Sequence, residues 1–172
     1  FDADLVIAND PDADRCAAAV KDPATGWRML RGDELGAILG ESIARKSQTG
    51  IFANSIVSSS ILKKIAEHYN LEFKETLTGF KWLAKIKGLT FGYEEALGYA
   101  VDAKTVNDKD GISAAITLAQ IATDLAADGK TLLDLLDEIW VRHGFHATEQ
   151  ISIRLSDLSK VGVILGGLRS SP

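Results

Sequence analysis

Residues 5–15 read Leu5-Val6-Ile7-Ala8-Asn9-Asp10-Pro11-Asp12-Ala13-Asp14-Arg15, an apolar run followed by three aspartates at alternate positions. Such a run is typical of a buried strand, and Asp and Pro favour a turn where it ends. In an extended backbone, side chains two residues apart point to the same side, so Asp10, Asp12 and Asp14 can converge. Three converging carboxylates repel one another unless a cation lies among them. The stretch therefore predicts a strand that ends in a cation site.

The ligand chemistry favours a hard divalent cation. Carboxylate oxygens on a short turn suit Mg²⁺ or Ca²⁺ and leave positions for water or a phosphate oxygen. Arg15 adds a planar guanidinium that matches phosphate geometry. An EF-hand loop counted from Asp10 would need Gly and Glu where the chain has Arg15 and Lys21, so that motif is excluded. A metal beside a guanidinium indicates phosphoryl transfer, with a plain acidic turn as the alternative.

The composition limits the class of protein. The chain has 172 residues, 46% of them apolar, and a net charge of -5, which suits one substantial core in an ordinary α/β protein. The sequence has no Lys/Arg cluster, so a nucleic-acid partner is not expected. No apolar run approaches the roughly 18 residues of a membrane span. Cys16 has no second cysteine to pair with, and a reducing, cytoplasmic location is expected.

Turn signals and hydrophobic periodicity predict an alternating order of strands and helices. Three short strands are expected before residue 30, and Asp33 is placed as the N-cap of the helix that follows. Beyond it the predicted elements are strands at 51–57, 71–77 and 89–93 and helices at 61–69 and 79–87. This alternation predicts a three-layer α/β/α domain with a mixed, largely parallel sheet. Ligands of such sheets bind beyond the carboxyl ends of the strands.

The last third of the chain predicts two helices, one strand and a linker. A capping box of Thr131 and Asp134 begins a helix that ends at Gly144. Alternation at 150–155 predicts a strand, and glycine and serine enrichment predicts a linker at 157–172. The helix before the capping box is predicted to place on one face Ile112, Ala115, Ile116, Ala119 and Ala122. The histidines are expected on the surface or at helix ends: His68, His143 and His146.

Five motifs, in order, resemble those of the α-D-phosphohexomutases, the phosphoglucomutase and phosphomannomutase superfamily. After the acidic loop they are Arg31-Gly32-Asp33-Glu34-Leu35, Thr78-Gly79-Phe80-Lys81, Gly92-Tyr93-Glu94-Glu95-Ala96-Leu97-Gly98-Tyr99 and Asp108-Lys109-Asp110-Gly111-Ile112. The resemblance implies the end of domain 2 at 1–30, the sugar-binding domain 3 at 31–156 and a linker towards domain 4 at 157–172. It also implies that a domain 1 phosphoserine and a domain 4 phosphate loop lie outside this chain, so the fragment alone is expected to be inactive.

The resemblance implies a reaction as well. In the family, Mg²⁺ held by three aspartates activates a phosphoserine, which exchanges phosphoryl groups with a phosphosugar through a sugar bisphosphate that also serves as activator. The implied metal ligands are Asp10, Asp12 and Asp14, and the implied catalytic residues are Arg15 and Lys109. The implied contacts with the phosphosugar substrate are Lys81, Glu95, Leu97 and Tyr99.

Departures from the family pattern leave the sugar open. Glu95 matches the family's sugar ligand, whereas Leu97 occupies the usual serine position and Tyr99 the position of a histidine in some members. A leucine cannot hydrogen-bond a hydroxyl, and the pattern looks more like the branch of phosphopentomutases and broad-specificity phosphoglucomutases. Glucose phosphate is favoured, with ribose or deoxyribose phosphate as the alternative. A non-catalytic domain that keeps the fold stays open, while a phosphatase with an aspartyl intermediate would need motifs that the sequence lacks.

Overall fold

The first sheet is a small antiparallel meander at the start of the chain. The computed structural model describes residues 2–171, so Phe1 and Pro172, at the ends of the predicted domain 2 segment and linker, lie outside it. The strands, in chain and spatial order, are β1 (Leu5–Asn9), β2 (Cys16–Asp22) and β3 (Gly26–Met29). The acidic loop joins β1 to β2, and its ends are therefore fixed by the ladder that pairs Asn9 with Cys16.

The second sheet is mixed and has the spatial order β5-β4-β6-β7. Its strands are β4 (Ile51–Ser55), β5 (Glu72–Thr76), β6 (Leu89–Glu94) and β7 (Gly98–Ala100). The first three run parallel to one another, and β7 turns back to pair antiparallel with β6. The predicted mixed, largely parallel sheet is confirmed, and the carboxyl ends of β4 and β6 lie side by side.

Helices cover both faces of this sheet. They are α1 (Gly32–Lys46), α2 (Ile61–His68), α3 (Phe80–Leu83), α4 (Gly111–Ala127), α5 (Leu132–His143) and α6 (Lys160–Ser170). Phe52, Phe91 and Tyr93 of the sheet lie in one buried cluster with α1, α2, α4 and α5, and that cluster also includes Cys16 and Val20 of β2. A smaller cluster with Ala53 on the opposite face contains Phe80 and Leu83 of α3. The predicted α/β fold with helices on both faces is therefore confirmed. Within residues 2–171 no helix combines the length and hydropathy that a membrane span needs.

One prediction near the end of the chain was wrong. Residues 150–155 pair with no strand in the described part of the chain, because alternation alone does not supply the neighbouring strand edge that a ladder needs. The stretch predicted as a linker contains α6, none of whose residues is buried. This helix contains three glycines, Gly162, Gly166 and Gly167.

Two predictions about helix faces and caps also need correction. Arg31, rather than Asp33, occupies the N-cap of α1, and Asp33 lies in the first turn with only 8% of its surface exposed. In α4 the side chains of Ile112 and Ile116 are 54% and 67% exposed, whereas the buried face carries Ala114, Leu118 and Ile121. The predicted capping box of α5 and its end at Gly144 are confirmed.

A buried carboxylate ties α1 to α2 and α5. Glu41 is fully buried and accepts hydrogen bonds from Tyr69 Oη at 2.8 Å and from Arg45 Nε at 3.0 Å, and it pairs with Arg142. His143 Nε2 lies 3.0 Å from the other carboxylate oxygen, and the His143 side chain is 2% exposed. His143 is the last residue of α5, so its predicted place at a helix end is confirmed, and the side chain is buried there. Burial is the largest effect on Glu41 and opposes its ionisation, but these donors outweigh it and the pKa of Glu41 lies below its usual value.

Candidate active site

The three aspartates converge through a turn rather than through an extended strand. Ala13 N donates to Asp10 O over 2.9 Å, and Ala13 has a φ of 57°, in the left-handed region. This turn brings one carboxylate oxygen from each of Asp10, Asp12 and Asp14 within 4.8 Å of the others. The predicted convergence is present, although the backbone conformation that produces it differs from the one expected.

The start of α4 is hydrogen-bonded to the backbone of the acidic loop. Gly111 N donates to Ala13 O over 3.1 Å, and Asn9 Nδ2 donates to Arg15 O over 2.7 Å. A Cβ atom on Gly111 would lie 2.2 Å from Arg15 O, far inside van der Waals contact. Position 111 therefore requires glycine, which allows the helix terminus to approach the loop backbone.

Two cations partly balance the acidic loop. Arg15 Nε lies 3.6 Å from Asp10 Oδ2 and 3.8 Å from Asp14 Oδ1, while Lys109 Nζ lies 2.5 Å from Asp14 Oδ2. The hydrogen bond to Asp14 raises the pKa of Lys109, so Lys109 carries its charge at neutral pH. Desolvation alone would raise the pKa of Asp10, but the Arg15 backbone N–H and guanidinium outweigh it and hold that pKa below its usual value.

The loop has the donor chemistry of a site for a hard divalent cation. Its three ligands are hard carboxylate oxygens, and Asp14 Oδ1 is buried with no hydrogen-bond partner in the described residues. An unpaired buried carboxylate oxygen is costly unless a cation or ordered water compensates it. The residues present therefore fit a divalent cation, and Mg²⁺ prefers this donor set.

Glu95 follows β6 and is held at the neighbouring end of β4. Ser55 Oγ and Ser58 Oγ lie 3.1 and 3.0 Å from Glu95 Oε2, and Glu95 N donates to Ser58 Oγ over 3.1 Å. Within residues 2–171 no protein group hydrogen-bonds Glu95 Oε1. Glu94 has a different role, because its Oε1 accepts from Gly79 N over 2.5 Å and its side chain is buried.

The Glu95 loop and the acidic loop are joined through their backbones. Cys16 N donates to Leu97 O over 3.0 Å, and Arg15 forms an isolated antiparallel bridge with Gly98. Leu97 has a φ of 68°, which is unusual for a residue with a branched side chain. A Cβ atom on Gly98 would lie 2.9 Å from Lys109 Cδ. These contacts place the acidic loop, Lys109 and the Glu95 loop at one locus.

Two of the residues predicted to contact the substrate, Tyr99 and Lys81, differ in their burial. Tyr99 is fully buried, and its hydroxyl donates to Gly32 O over 3.0 Å, so it offers no free hydroxyl to a sugar and the expected contact is not compatible with this position. Lys81 is exposed beside Trp82, its Nζ 5.6 Å from the ring centroid. The helix α3, in which it lies, is a single turn, and Gly79 N is already bound to Glu94.

A surface cavity of about 400 Å³ lies beside Glu95 and Leu97, and Arg31 and Val57 also line it. Sequence reasoning did not find Ser55 or Ser58 as contacts of Glu95, because these serines lie 40 and 37 positions away from it along the chain. The available signal was their position at the carboxyl end of a parallel strand, where ligands bind.

Comparison with known proteins agrees with this geometry. The family model described as phosphoglucomutase/phosphomannomutase, alpha/beta/alpha domain III, matches residues 31–143. The chain belongs to this family. A probable phosphomannomutase from Haemophilus influenzae is 49% identical to it over 172 residues, or 99% of this chain and 36% of that protein. Phosphopentomutase from Mus musculus is 39% identical over 186 residues, or 98% of this chain and 30% of that protein. The chain thus spans about a third of these phosphohexomutase relatives.

Solved structures show the same fold. The putative phosphomannomutase from Thermus thermophilus superposes with a TM-score of 0.71 at 23% identity, covering 82% of this chain and 31% of that chain. The N-acetylphosphoglucosamine mutase of Aspergillus fumigatus, in complex with GlcNAc-6P and magnesium, has a TM-score of 0.56 at 17% identity, covering 86% of this chain and 37% of that chain. At these identities the likeness concerns the fold, which is that of the phosphohexomutase domain III.

Proposed function

We propose that this chain is the metal- and sugar-binding part of a Mg²⁺-dependent phosphosugar mutase. In this proposal residues 1–30 are the end of domain 2, residues 31–156 are domain 3 and residues 157–172 lead towards domain 4. The start of the family match at Arg31 supports the first boundary. The observation that carries the proposal is the Cys16–Leu97 backbone hydrogen bond, which holds the candidate metal loop against the candidate sugar loop.

The aspartates would hold the metal. Asp10, Asp12 and Asp14 would bind Mg²⁺, which neutralises charge on a phosphoryl group in this class of reaction. Their clustered oxygens support this role, as does Asp14 Oδ1, which accepts no hydrogen bond in the described residues. The magnesium bound by the Aspergillus fumigatus enzyme is consistent with the same choice of metal.

The cationic side chains would act on the phosphate. Arg15 has a half-exposed guanidinium beside the metal loop, suited to bind phosphate oxygens while its backbone stays fixed. Lys109 would neutralise charge that develops at the reacting phosphate and can hold or release a proton at Nζ. Lys81, exposed near the same sheet edge, would bind a phosphate as a point charge.

Glu95 would orient the sugar through its free carboxylate oxygen, with Leu97 against the sugar. The phosphoryl group would move between position 1 and position 6 of a hexose, or position 5 of a pentose, through an enzyme phosphoserine and a sugar bisphosphate that also activates the enzyme. The phosphoserine and the second phosphate loop would be supplied by other domains of the longer chain. Glucose phosphate is the favoured substrate. Ribose or deoxyribose phosphate is the second candidate, because a phosphopentomutase is among the relatives.

The test is turnover by the full-length protein that contains this sequence. It should convert glucose 1-phosphate or ribose 1-phosphate when Mg²⁺ and the matching sugar bisphosphate are present, and the 172-residue chain alone should not. Asp12→Asn should abolish most turnover and weaken Mg²⁺ binding without lowering thermal stability, since Asp12 is exposed. Asp137→Asn, which changes another exposed aspartate, on α5, is the matched control. A full-length protein without mutase turnover would favour a non-catalytic domain.

A further inference from the structure

Two serine hydroxyls lie against one carboxylate oxygen of Glu95. Glu95 N occupies one lone pair of Ser58 Oγ, and Ser55 Oγ lies 2.8 Å from the same atom. Each serine has a single proton. Either serine can donate to the other, and the remaining hydroxyl proton then donates to Glu95 Oε2. Ser58 contacts both the main chain and the side chain of Glu95, whereas Ser55 contacts only its side chain.

The segment that carries Ser58 is itself fixed. Ser59 N donates to Asp33 Oδ1 over 2.7 Å, and Tyr93 Oη donates to the same oxygen over 2.9 Å. Asp33 lies in the first turn of α1, so the serine segment is tied to a buried helix and to the core of the sheet. Gly32 allows α1 to approach closely, since a Cβ there would lie 1.8 Å from Glu95 O.

We propose that Ser58 is a positioning residue for the phosphosugar site: it holds Glu95 Oε2 so that Oε1 faces the sugar in one orientation. The inference rests on the proposed function, because it assumes that Glu95 binds a sugar hydroxyl. A carboxylate with both oxygens free would sample several rotamers and lose that freedom when substrate binds. Because the contact with Ser58 already restricts the Glu95 side chain, this entropy is lost before the substrate binds, which lowers KM.

The experiment compares variants of the full-length mutase. Ser58→Ala should raise KM for the sugar phosphate about tenfold, the size expected for a lost hydrogen bond to a charged group, and leave kcat within about twofold. Ser58→Thr keeps the hydroxyl and should restore KM. Ser60→Ala is the matched control, because the Ser60 hydroxyl contacts His146 instead of Glu95. A purely structural serine would lower thermal stability and the active fraction without this selective change in KM.

A double mutant separates the inference from the function it rests on. Ser58→Ala added to Glu95→Gln should not raise KM further if Ser58 acts through Glu95. If Glu95→Gln weakens substrate binding while Ser58→Ala has a normal KM, or if the two effects simply add, the positioning role is wrong and the sugar site stands. If Glu95→Gln itself leaves KM and kcat unchanged, the proposed sugar site fails, and the positioning role fails with it.

Discussion

Lys109 Nζ lies 2.5 Å from Asp14 Oδ2, inside the cluster of carboxylates that would hold a metal. The lysine therefore has two opposing effects. It stabilises the anionic loop in the absence of a metal, and it competes with a metal for one oxygen of Asp14. With Mg²⁺ bound, the same ammonium group is available to a phosphoryl oxygen close to the metal.

Lys109→Met should separate these two effects. Removal of the ammonium charge frees Asp14 Oδ2 for the metal, so Mg²⁺ should bind about threefold to tenfold more tightly. Turnover by the full-length enzyme should nevertheless fall by at least about tenfold, because charge stabilisation at the phosphate is lost. Isothermal titration with Mg²⁺ and steady-state kinetics measure the two quantities. Lys104→Met, an exposed lysine on the preceding segment, is the control. Weaker metal binding in Lys109→Met would contradict competition for Asp14.

Gly111→Ala tests the support beneath the acidic loop. The added methyl group would overlap Arg15 O, so the loop or the start of α4 must shift. We expect a loss of about 1 to 3 kcal/mol in the free energy of unfolding, together with weaker Mg²⁺ binding. Gly162→Ala is the matched control, because a Cβ there meets nothing within 4 Å, and it should be neutral or stabilising by up to about 1 kcal/mol. Urea unfolding and Mg²⁺ titration provide the measurements. Equal stability of the two variants would show that the loop has room to move.

The sequence predicts the fold well where a local pattern determines the outcome. Strand and helix periodicity predicted the alternation of strands and helices around β4, β5 and β6. The spacing of the three aspartates predicted that their carboxylates converge. The Glu41 cluster, which is Glu41 with its partners Arg45, Tyr69, Arg142 and His143, could not be predicted in this way. Arg142 and His143 lie 101 and 102 positions away from Glu41 along the chain. The buried face of α4 was missed because alanine and isoleucine occur on both sides of that helix. Packing against β1 and β2 then selects the side with Leu118.

The Glu41 cluster predicts how stability depends on pH. Burial is the main cause that lowers the pKa of His143 below its usual 6.5, although Glu41 opposes the shift. Protonation of His143 therefore favours the unfolded chain. The contribution of neutral His143 to the free energy of unfolding is fully present above about pH 6.5 and decreases as the pH falls towards the folded-state pKa. The pKa of Glu41 is also lowered from 4.5, so its stabilisation of the folded chain is present above about pH 4.5 and is lost as the pH falls below that value.

His143→Asn should flatten this dependence between about pH 6.5 and pH 5. Asparagine can still donate a hydrogen bond to Glu41 but has no proton to gain. Urea unfolding of the chain across that pH range measures the slope. His146→Asn, which removes a histidine that bonds Ser60 instead of Glu41, should keep it. An unchanged slope in His143→Asn would mean that other groups cause the acid sensitivity.

Leu97→Ser tests sugar selection. Leu97 is partly buried against the core and has a left-handed backbone whose carbonyl binds Cys16 N. A buried sugar hydroxyl beside leucine stays unpaired, at a cost of about 1 to 3 kcal/mol. The wild-type full-length enzyme should therefore use ribose 1-phosphate at least as well as mannose 1-phosphate. Leu97→Ser should shift the ratio of kcat/KM values towards the hexose, because the serine hydroxyl can pair with the sugar.

The control for this prediction is Leu97→Ala, which removes the same apolar bulk but supplies no hydroxyl. If hydrogen bonding decides the preference, Leu97→Ala should leave the ratio near the wild-type value while Leu97→Ser raises the hexose share. Equal shifts in both variants would assign the selection to space in the cavity beside Glu95 rather than to an unpaired hydroxyl. A strong preference of the wild type for mannose phosphate would overturn the argument from Leu97 altogether, since leucine would then accommodate the hexose without a partner for that hydroxyl.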